Sequence, residues 1–435
     1  MSLFTDQSSK SFCLGYDLGN EVSQISFLAP DADEPTTLSV LAGAEQYNIP
    51  TILYKRRGVG QWFYGREAMK RTEGEDGILL TGLLDAARAG EVVTVDGTDY
   101  DPVSLLTLFV KRTLSLLTLE LSIDHVASIV FTVENLDKRM VEVLNTVTGA
   151  LNLKTKHIFY QGYEESLYHY MLYQPQELKY KHVLACDYRF GALSIYDLMN
   201  NYHTEPIVTS VKKTVYDVMR LPGGRLPQED ASELNRIKKQ LDAEFLKVLR
   251  RIYEDREVTT VYLLGDGFKG EWAGESLSYL CSDSRVFQGN NLFSKGATIA
   301  ARERLKPSDA ASKQVLLGED KLKSNLGIRV KKQGVEAYQA LMDAGVNWYE
   351  VGSSVDVILE EGNELSIEKT PLTGMDPSVT TIVLEGLHVR PKGTTRLRLM
   401  LDMTDENTVR VQVRDMGFGE LFPATGMHWE ETFAV

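Results

Sequence analysis

The sequence predicts an α/β domain followed by an all-β sandwich. Three observations predict it. Gly/Asp turns stand at strand ends at Gly15–Asn20, Asp187–Gly191 and Gly265–Gly267. The pattern changes after a polar, small-residue stretch, Lys306–Lys313. Beyond that stretch, short runs between Val355 and Arg414 alternate apolar and polar residues, the period of half-buried strands.

A chain of 435 residues, 43% hydrophobic and 25% charged, has room for two or three domains with a sizeable core. The net charge of −14 opposes a surface that tracks phosphates, so no nucleic-acid partner is expected, and it disfavours anionic lipid. Cys13, Cys186 and Cys281 are far apart and form no Cys-x-x-Cys pair, so neither a disulfide framework nor a metal site is expected. Met1–Lys10 lacks the apolar centre of a signal peptide, and no apolar run is long enough to span a bilayer. The expected setting is a bacterial cytoplasm, without membrane insertion.

The elements follow in order. Ser11–Leu28 reads as two strands around Gly19-Asn20, followed by strands at Thr37–Leu41 and Thr51–Tyr54 and a helix from Gly65. Asp101 caps a helix with Pro102 at its first position and an apolar stripe through Leu106, Val110 and Leu114. A buried strand His125–Val133, a helix Leu136–Leu151, a strand Lys156–Tyr160 and a Tyr-rich helix Tyr163–Tyr173 come next. The strands Val183–Asp187 and Ala192–Leu198 precede a helix near Asp230, with Glu233 placed for a capping box. A strand Thr259–Leu264 and a helix Ser294–Leu305 complete the domain, residues 11–305. Residues 306–318 read as a linker and 319–435 as the sandwich, with Val335–Ala344 its one helical stretch. No internal repeat is visible.

Gly-rich strand-end turns let backbone N–H groups approach a phosphate, and a carboxylate there can hold a metal through water. The order and context of the three turns resemble the actin, sugar-kinase and heat-shock ATPase superfamily. Asp17-Leu18-Gly19 resembles its first phosphate loop, and Val183–Asp187 the strand entering the second. Val261–Gly265 resembles the strand entering the adenosine loop, followed by the Gly-Ala helix at Ser294–Ala297. Pro50-Thr51-Ile52, Gly65–Ala68 and Val130–Val133 with Arg139 are similar to the DnaK-type heat-shock chaperones. So are Val315, Leu316 and Leu317, like the interdomain linker, and Asn325–Ile328, like the entry to the peptide-binding sandwich. Leu384–Leu387 and Arg390–Gly393 resemble its later turn.

The resemblance implies an actin-like fold of two similar halves with a cleft, then a peptide-binding sandwich. It makes Asp17, Gly19, Asn20, Asp187, Arg189, Gly191, Gly265, Asp266 and Gly267 the candidate nucleotide-binding residues. ATP or ADP with magnesium is the implied cofactor if the site works. Several positions depart from the pattern. Tyr188, Arg189 and Phe190 stand where the family has glycines, and Phe190 is expected to fill the γ-phosphate volume. Asn20-Glu21 replaces hydroxyl residues, and Glu21 adds like charge beside a phosphate. The catalytic lysine falls at Met69 or Lys70, and the metal-orienting glutamate at the neutral Gln161, with Glu164 or Glu165 as substitutes. About 60 residues separate Leu198 from Val258, where the family carries an adenine-clamping subdomain. No helical lid follows the sandwich.

The resulting expectation is a chaperone-like protein or peptide binder with a degenerate nucleotide site and no hydrolysis. The alternatives are a slow ATP-dependent chaperone and an actin-like cytoskeletal or envelope-associated assembly protein. No other catalytic set competes: no Gly-x-Ser-x-Gly elbow, no Walker loop and no paired histidine ligands occur.

Overall fold

Two six-stranded sheets of matching topology organise the first part of the chain in a computed structural model. The structure describes residues 11–435 apart from 42–43, 75, 120, 222–223, 225, 228–230, 290, 319 and 373–375. Asp230, near which a helix is expected to start, and Gly223, in the interval between Leu198 and Val258, lie outside the described residues.

The first sheet is built on a hairpin, Phe12–Leu18 with Val22–Leu28. Val126–Val133 adds parallel to the first hairpin strand, and Ile158–Gly162 adds parallel to that. Thr36–Thr37 continues the sheet on the far side of Val22–Leu28. The second sheet repeats the plan: a hairpin of His182–Asp187 with Leu193–Asn201, then Val258–Leu264 and Arg285–Gln288 in parallel on one side. Ile207–Tyr216 flanks the hairpin on the other side. The central strands are nearly continuous apolar runs, as strands buried on both faces should be.

Insertions distinguish the halves. The first carries a small sheet of Leu53–Arg56, Trp62–Tyr64 and Gly77–Leu80, with helices Gly65–Arg71 and Leu83–Ala89. Between its third and fourth strands the second carries, among the described residues, a 3-10 turn Asp217–Met219 and the long helix Ala231–Asp255. Caps fall where the sequence places them on Pro102–Leu114: the Asp101 carboxylate accepts from Ser104 N–H at 2.9 Å. Asp137 does the same for Lys138–Leu151 through Met140 N–H at 2.9 Å.

One helix joins the halves. Leu292–Leu305 leaves the second sheet and packs against the first, while also crossing the Tyr-rich helix Tyr163–Leu172. Its approach is glycine-limited on both faces. A Cβ at Gly15 would strike the Ser294 carbonyl and the Thr298 backbone, and a Cβ at Gly296 would strike the Ser166 carbonyl. Buried hydroxyls pin each of these two helices to the first sheet: Ser26 to Ser294 at 2.8 Å for the joining helix and Thr132 to Ser166 at 2.7 Å for the Tyr-rich helix.

The boundary between compact units falls at Leu316/Leu317. Val315, Leu316 and Leu317, expected in a linker over 306–318, lie instead in the strand Gln314–Leu317, the outermost of the second sheet beside Ile207–Tyr216. An apolar run next to an open sheet edge satisfies its backbone by pairing, and Leu316 is buried there. The polar stretch before it also forms a turn of helix, Asp309–Ser312, capped by Ser308.

The second unit is two four-stranded antiparallel sheets. One orders Val335–Met342, Ser324–Lys332, Glu364–Pro371 and Ser378–Val383; the other orders Gly352–Leu359, Thr395–Asp405, Thr408–Asp415 and His428–Ala434. Val335–Met342 is a strand and not the expected helix. A two-residue turn at Gln333-Gly334, both at positive φ, returns the chain antiparallel to Ser324–Lys332. Leu397, Leu399 and Leu401 oppose Asp415, Val413 and Val411 respectively, and this row makes the buried face.

Asp415 is a buried polar anchor. Arg390 grips it through two bonds of 2.9 and 2.7 Å, and Gly417 N–H, Thr425 N–H and Thr425 Oγ1 also donate to it. Burial would raise its carboxyl, but the Arg390 guanidinium and these donors outweigh that and hold it below the usual range.

Two stability outcomes follow from these contacts. Gly296→Ala should lower the unfolding free energy by about 1–3 kcal/mol through overpacking, whereas Gly149→Ala, in open space on Lys138–Leu151, should be neutral or mildly stabilising. Equal effects in denaturant titrations would refute the packing account. Arg390→Ala strands a buried carboxylate and should cost about 3 kcal/mol or more in the same measurement.

Candidate functional site

The two hairpin turns face each other across a cleft of about 270 Å³. The first turn contributes Gly19, Asn20 and Glu21; the second contributes Asp187, Arg189 and Gly191. Glu134 and Asn135, at the end of the strand Val126–Val133, form another wall, and Asp85 and Arg88 on Leu83–Ala89 a further one. Asn20 is fixed by Asp85, donating through Nδ2 at 2.7 Å and accepting from the Asp85 N–H at 3.2 Å.

Asp17 lies beneath this cleft, fully enclosed. Its Oδ1 accepts from the Tyr163 hydroxyl at 2.7 Å. Burial pushes the Asp17 carboxyl up to about 7, against the pull of the Arg189 guanidinium and the Tyr163 hydroxyl. Burial likewise raises Tyr163, which stays protonated and donates. Tyr163 itself is locked by stacking on Phe293 of the joining helix, ring centres 3.9 Å apart.

Arg189 is the central cation. Its Nε lies 3.3 Å from Asp187 Oδ1 and its Nη2 3.5 Å from Asp187 Oδ2. Its Nη1 reaches the opposite half, 3.7 Å from where a Cβ of Gly19 would be. Lys213 Nζ serves the far wall, donating to Glu134 Oε1 and Asn135 Oδ1 at 2.9 Å each.

The third turn sits behind the second. A Cβ at Gly265 would crowd the Tyr188 carbonyl and Asp187 Oδ1, and one at Gly267 would crowd the Tyr188 ring. Gly265 and Gly267 therefore support Asp187 and Tyr188 and do not line the cleft. Asp266 leaves the group altogether, accepting from Asn48 Nδ2 at 3.2 Å and pairing with Lys269.

Phe190 does not fill the cleft as the sequence suggests. It takes a positive φ of 63° and packs edge-on against Tyr188, toward the second sheet's core of Phe245, Phe268 and Trp272. A left-handed residue turns the side chain away from the strand face it would otherwise occupy. Arg189, and not Phe190, lines the cleft. The other proposed catalytic positions also fall elsewhere. Met69 and Lys70 are exposed on Gly65–Arg71, and Gln161 is buried with its amide donating to Ser166 Oγ at 2.7 Å. Glu165 is enclosed with Arg304 and His169.

Sequence reasoning missed Tyr163, Glu134, Asn135, Asp85 and Arg88. Glu134-Asn135 had a signal: a polar pair at the end of a buried strand, as in the other three turns. Asp85 and Arg88 had none, because an ordinary amphipathic helix carries them. Among the described residues, no group of three or more His, Cys, Asp or Glu side chains is placed to hold a metal ion. No helix of the described residues is long and apolar enough to cross a membrane.

The molecule is thus a two-sheet α/β cleft protein with an antiparallel β unit following it. Residues 34–319 match the model described as the C-terminal part of a family of unknown function, DUF5716, and the chain belongs to that family. Residues 321–435 match a domain of unknown function, DUF8552. No curated protein matches the chain.

The raised Asp17 carboxyl has a pH consequence. A proton held more tightly in the folded state stabilises it fully below the unfolded value near 3.8, and that stabilisation is lost as pH rises to about 7. Asp17→Asn should therefore raise the melting temperature by several degrees at about pH 8 and progressively less toward about pH 4. A gain independent of pH would show that the carboxylate is not strained by burial.

Proposed function

We propose that this chain is a chaperone-like protein- or peptide-binding scaffold on an actin-like, DnaK-type frame, whose cleft is held by its own arginine and not by nucleotide. The repeated sheet plan and the helix joining the halves support the actin-like reading. The two four-stranded antiparallel sheets support a relation to the peptide-binding sandwich.

One observation carries the loss of nucleotide: Arg189 lies against both hairpin turns, where a metal–phosphate group would have to enter. A magnesium nucleotide does not fit the residues present. Glu21, Asp85, Glu134 and Asp187 line the cleft against two arginines, a balance that repels phosphate. The Tyr188 N–H, which a phosphate would need, is used by the Leu264 carbonyl at 3.0 Å. The cavity of about 270 Å³ lies below the roughly 300–1,000 Å³ of small-molecule sites. Behind the third turn, Trp272 donates to the Gly267 carbonyl at 2.7 Å and stacks on Phe268, so own side chains fill the adenosine side.

Arg189 also supports the rival reading of a slow ATPase, because a guanidinium released from Asp187 could grip a phosphate. Calorimetric titration of the whole chain with ATP and ADP, with and without magnesium, separates the two. No heat from a folded protein is expected. Micromolar binding that Arg189→Ala abolishes would overturn the proposal and promote the ATPase.

A further inference from the structure

The β unit has two strand edges that face each other without pairing. His428–Ala434 ends one sheet and Ser378–Val383 ends the other. A cavity of about 490 Å³ separates them. Trp429, Glu431 and Phe433 are registered with Val413, Val411 and Val409, all fully buried. Directly opposed residues share a sheet face, so these three lie on the core-facing row. On the other wall, Thr380 and Ile382 are registered with buried Ile367 and Leu365 and share their face. The buried layer thus runs out to an open seam.

Single bonds close the seam at its two ends. The Trp429 indole donates to the Glu385 carbonyl at 2.9 Å, and Lys369 Nζ reaches the Ala434 carbonyl at 3.3 Å. Between these ends the floor is apolar at Ile382 and Phe433 and carries one exposed carboxylate, Glu431. Glu385 also lines the seam, as does Glu430, which accepts from Gln412 Nε2 at 2.7 Å; among the described residues lining it between its ends there is no basic side chain, Lys369 standing at one end.

We propose that this seam receives an extended segment of a partner polypeptide, with apolar side chains at alternate positions and a lysine or arginine opposite Glu431. Open strand edges present unpaired backbone groups that only another extended backbone satisfies along their length. The period-two row of Trp429, Glu431 and Phe433 selects a period-two partner. Glu431 on the core-facing row and Glu385 beside it, with Lys369 confined to the seam's far end, select positive charge. The seam deepens the peptide-binding reading above and rests on it.

An opposing role for Glu431 is that of a guard, since inward-pointing charges on edge strands block unwanted pairing. The test separates the roles. The full-length chain is titrated against labelled peptides of about seven residues that alternate valine and threonine, with lysine, glutamine or glutamate at the centre, read by fluorescence anisotropy. The lysine peptide should bind at least about tenfold more tightly than the glutamate peptide, and Glu431→Lys should reverse that order. The reversal serves as its own control for folding. Equal affinities, no binding by any peptide, or an unreversed order would overturn the seam assignment. Self-association of Glu431→Val without peptide preference would establish the guard instead. Suppressed aggregation of a chemically denatured reporter protein, measured on the same variants, addresses the broader reading. If Glu431→Lys leaves it intact while the peptides fail, the seam falls and the scaffold stands. If the wild-type chain shows neither, both fall.

Discussion

The closest approach in the first unit, helix Leu292–Leu305 against Gly15 on one face and Ser166 on the other, is the constraint on which its geometry depends. Two glycines permit it. Gly15 lets the helix backbone lie on the central strand, and Gly296 lets the Tyr-rich helix cross it with carbonyl and Cα nearly touching. Close backbone packing leaves little freedom for sliding, because interiors at crystal-like density resist small displacements. The hydroxyl pairs Ser26–Ser294 and Thr132–Ser166 fix the rotational setting as well. Two sheets with the same plan are thereby held with their hairpin turns opposed.

The cleft inherits its chemistry from that setting. Phe293 on the joining helix stacks on Tyr163, and Tyr163 holds Asp17. Arg189, projecting from the second half, meets Asp187 beside it and the first turn across from it. The nearby positive charge lowers the cost of burying Asp17 without cancelling it, which is why its carboxyl remains above the ordinary range. A cation on the chain differs physically from an exchangeable one. It pays no translational entropy on entering and cannot leave, so the state it favours does not depend on ligand concentration. A switch driven by nucleotide needs the opposite property.

How far residues alone reveal such a structure depends on what kind of constraint they carry. Strand-end turns such as Asp17-Leu18-Gly19 and Gly265-Asp266-Gly267 are local, and buried strands such as Val258–Leu264 announce themselves by composition. The helix cap at Asp101 is local too, whereas the Asp137 cap was not legible, that helix being expected to start at Leu136. The orientation of Phe190 was not legible, because it turns on a left-handed φ that a phenylalanine rarely adopts. Val335–Met342 resembles a helix in composition, with Glu, Ala, Gln and Leu, and becomes a strand only through the tight turn before it and the partner it meets. Val315–Leu317 looks like free chain until a sheet edge is known to be open beside it. Tyr163 and Asp17 are 146 residues apart, a pairing that only the joining helix arranges.

The two cavities differ in a way that bears on where ligand free energy is available. In the cleft, the charged walls are largely satisfied from within: Asp187 by Arg189, Glu134 by Lys213, Arg88 by Asp137 and Asn20 by Asp85. A ligand there must break one of these pairs, and leaving a partly buried charge unpaired costs more than a new contact returns. In the β seam, two backbone edges face one another across open space and the core row reaches its end at Phe433 and Ile382. Among the described residues only the two end bonds, from Trp429 and Lys369, stand across the seam, and between them an added strand gains backbone bonds along its length and apolar burial at alternate residues. The sheet edges therefore offer a strand more unspent contact than the cleft does, because the cleft's charges are paired within each half and, through Lys213 and Glu134, across the two.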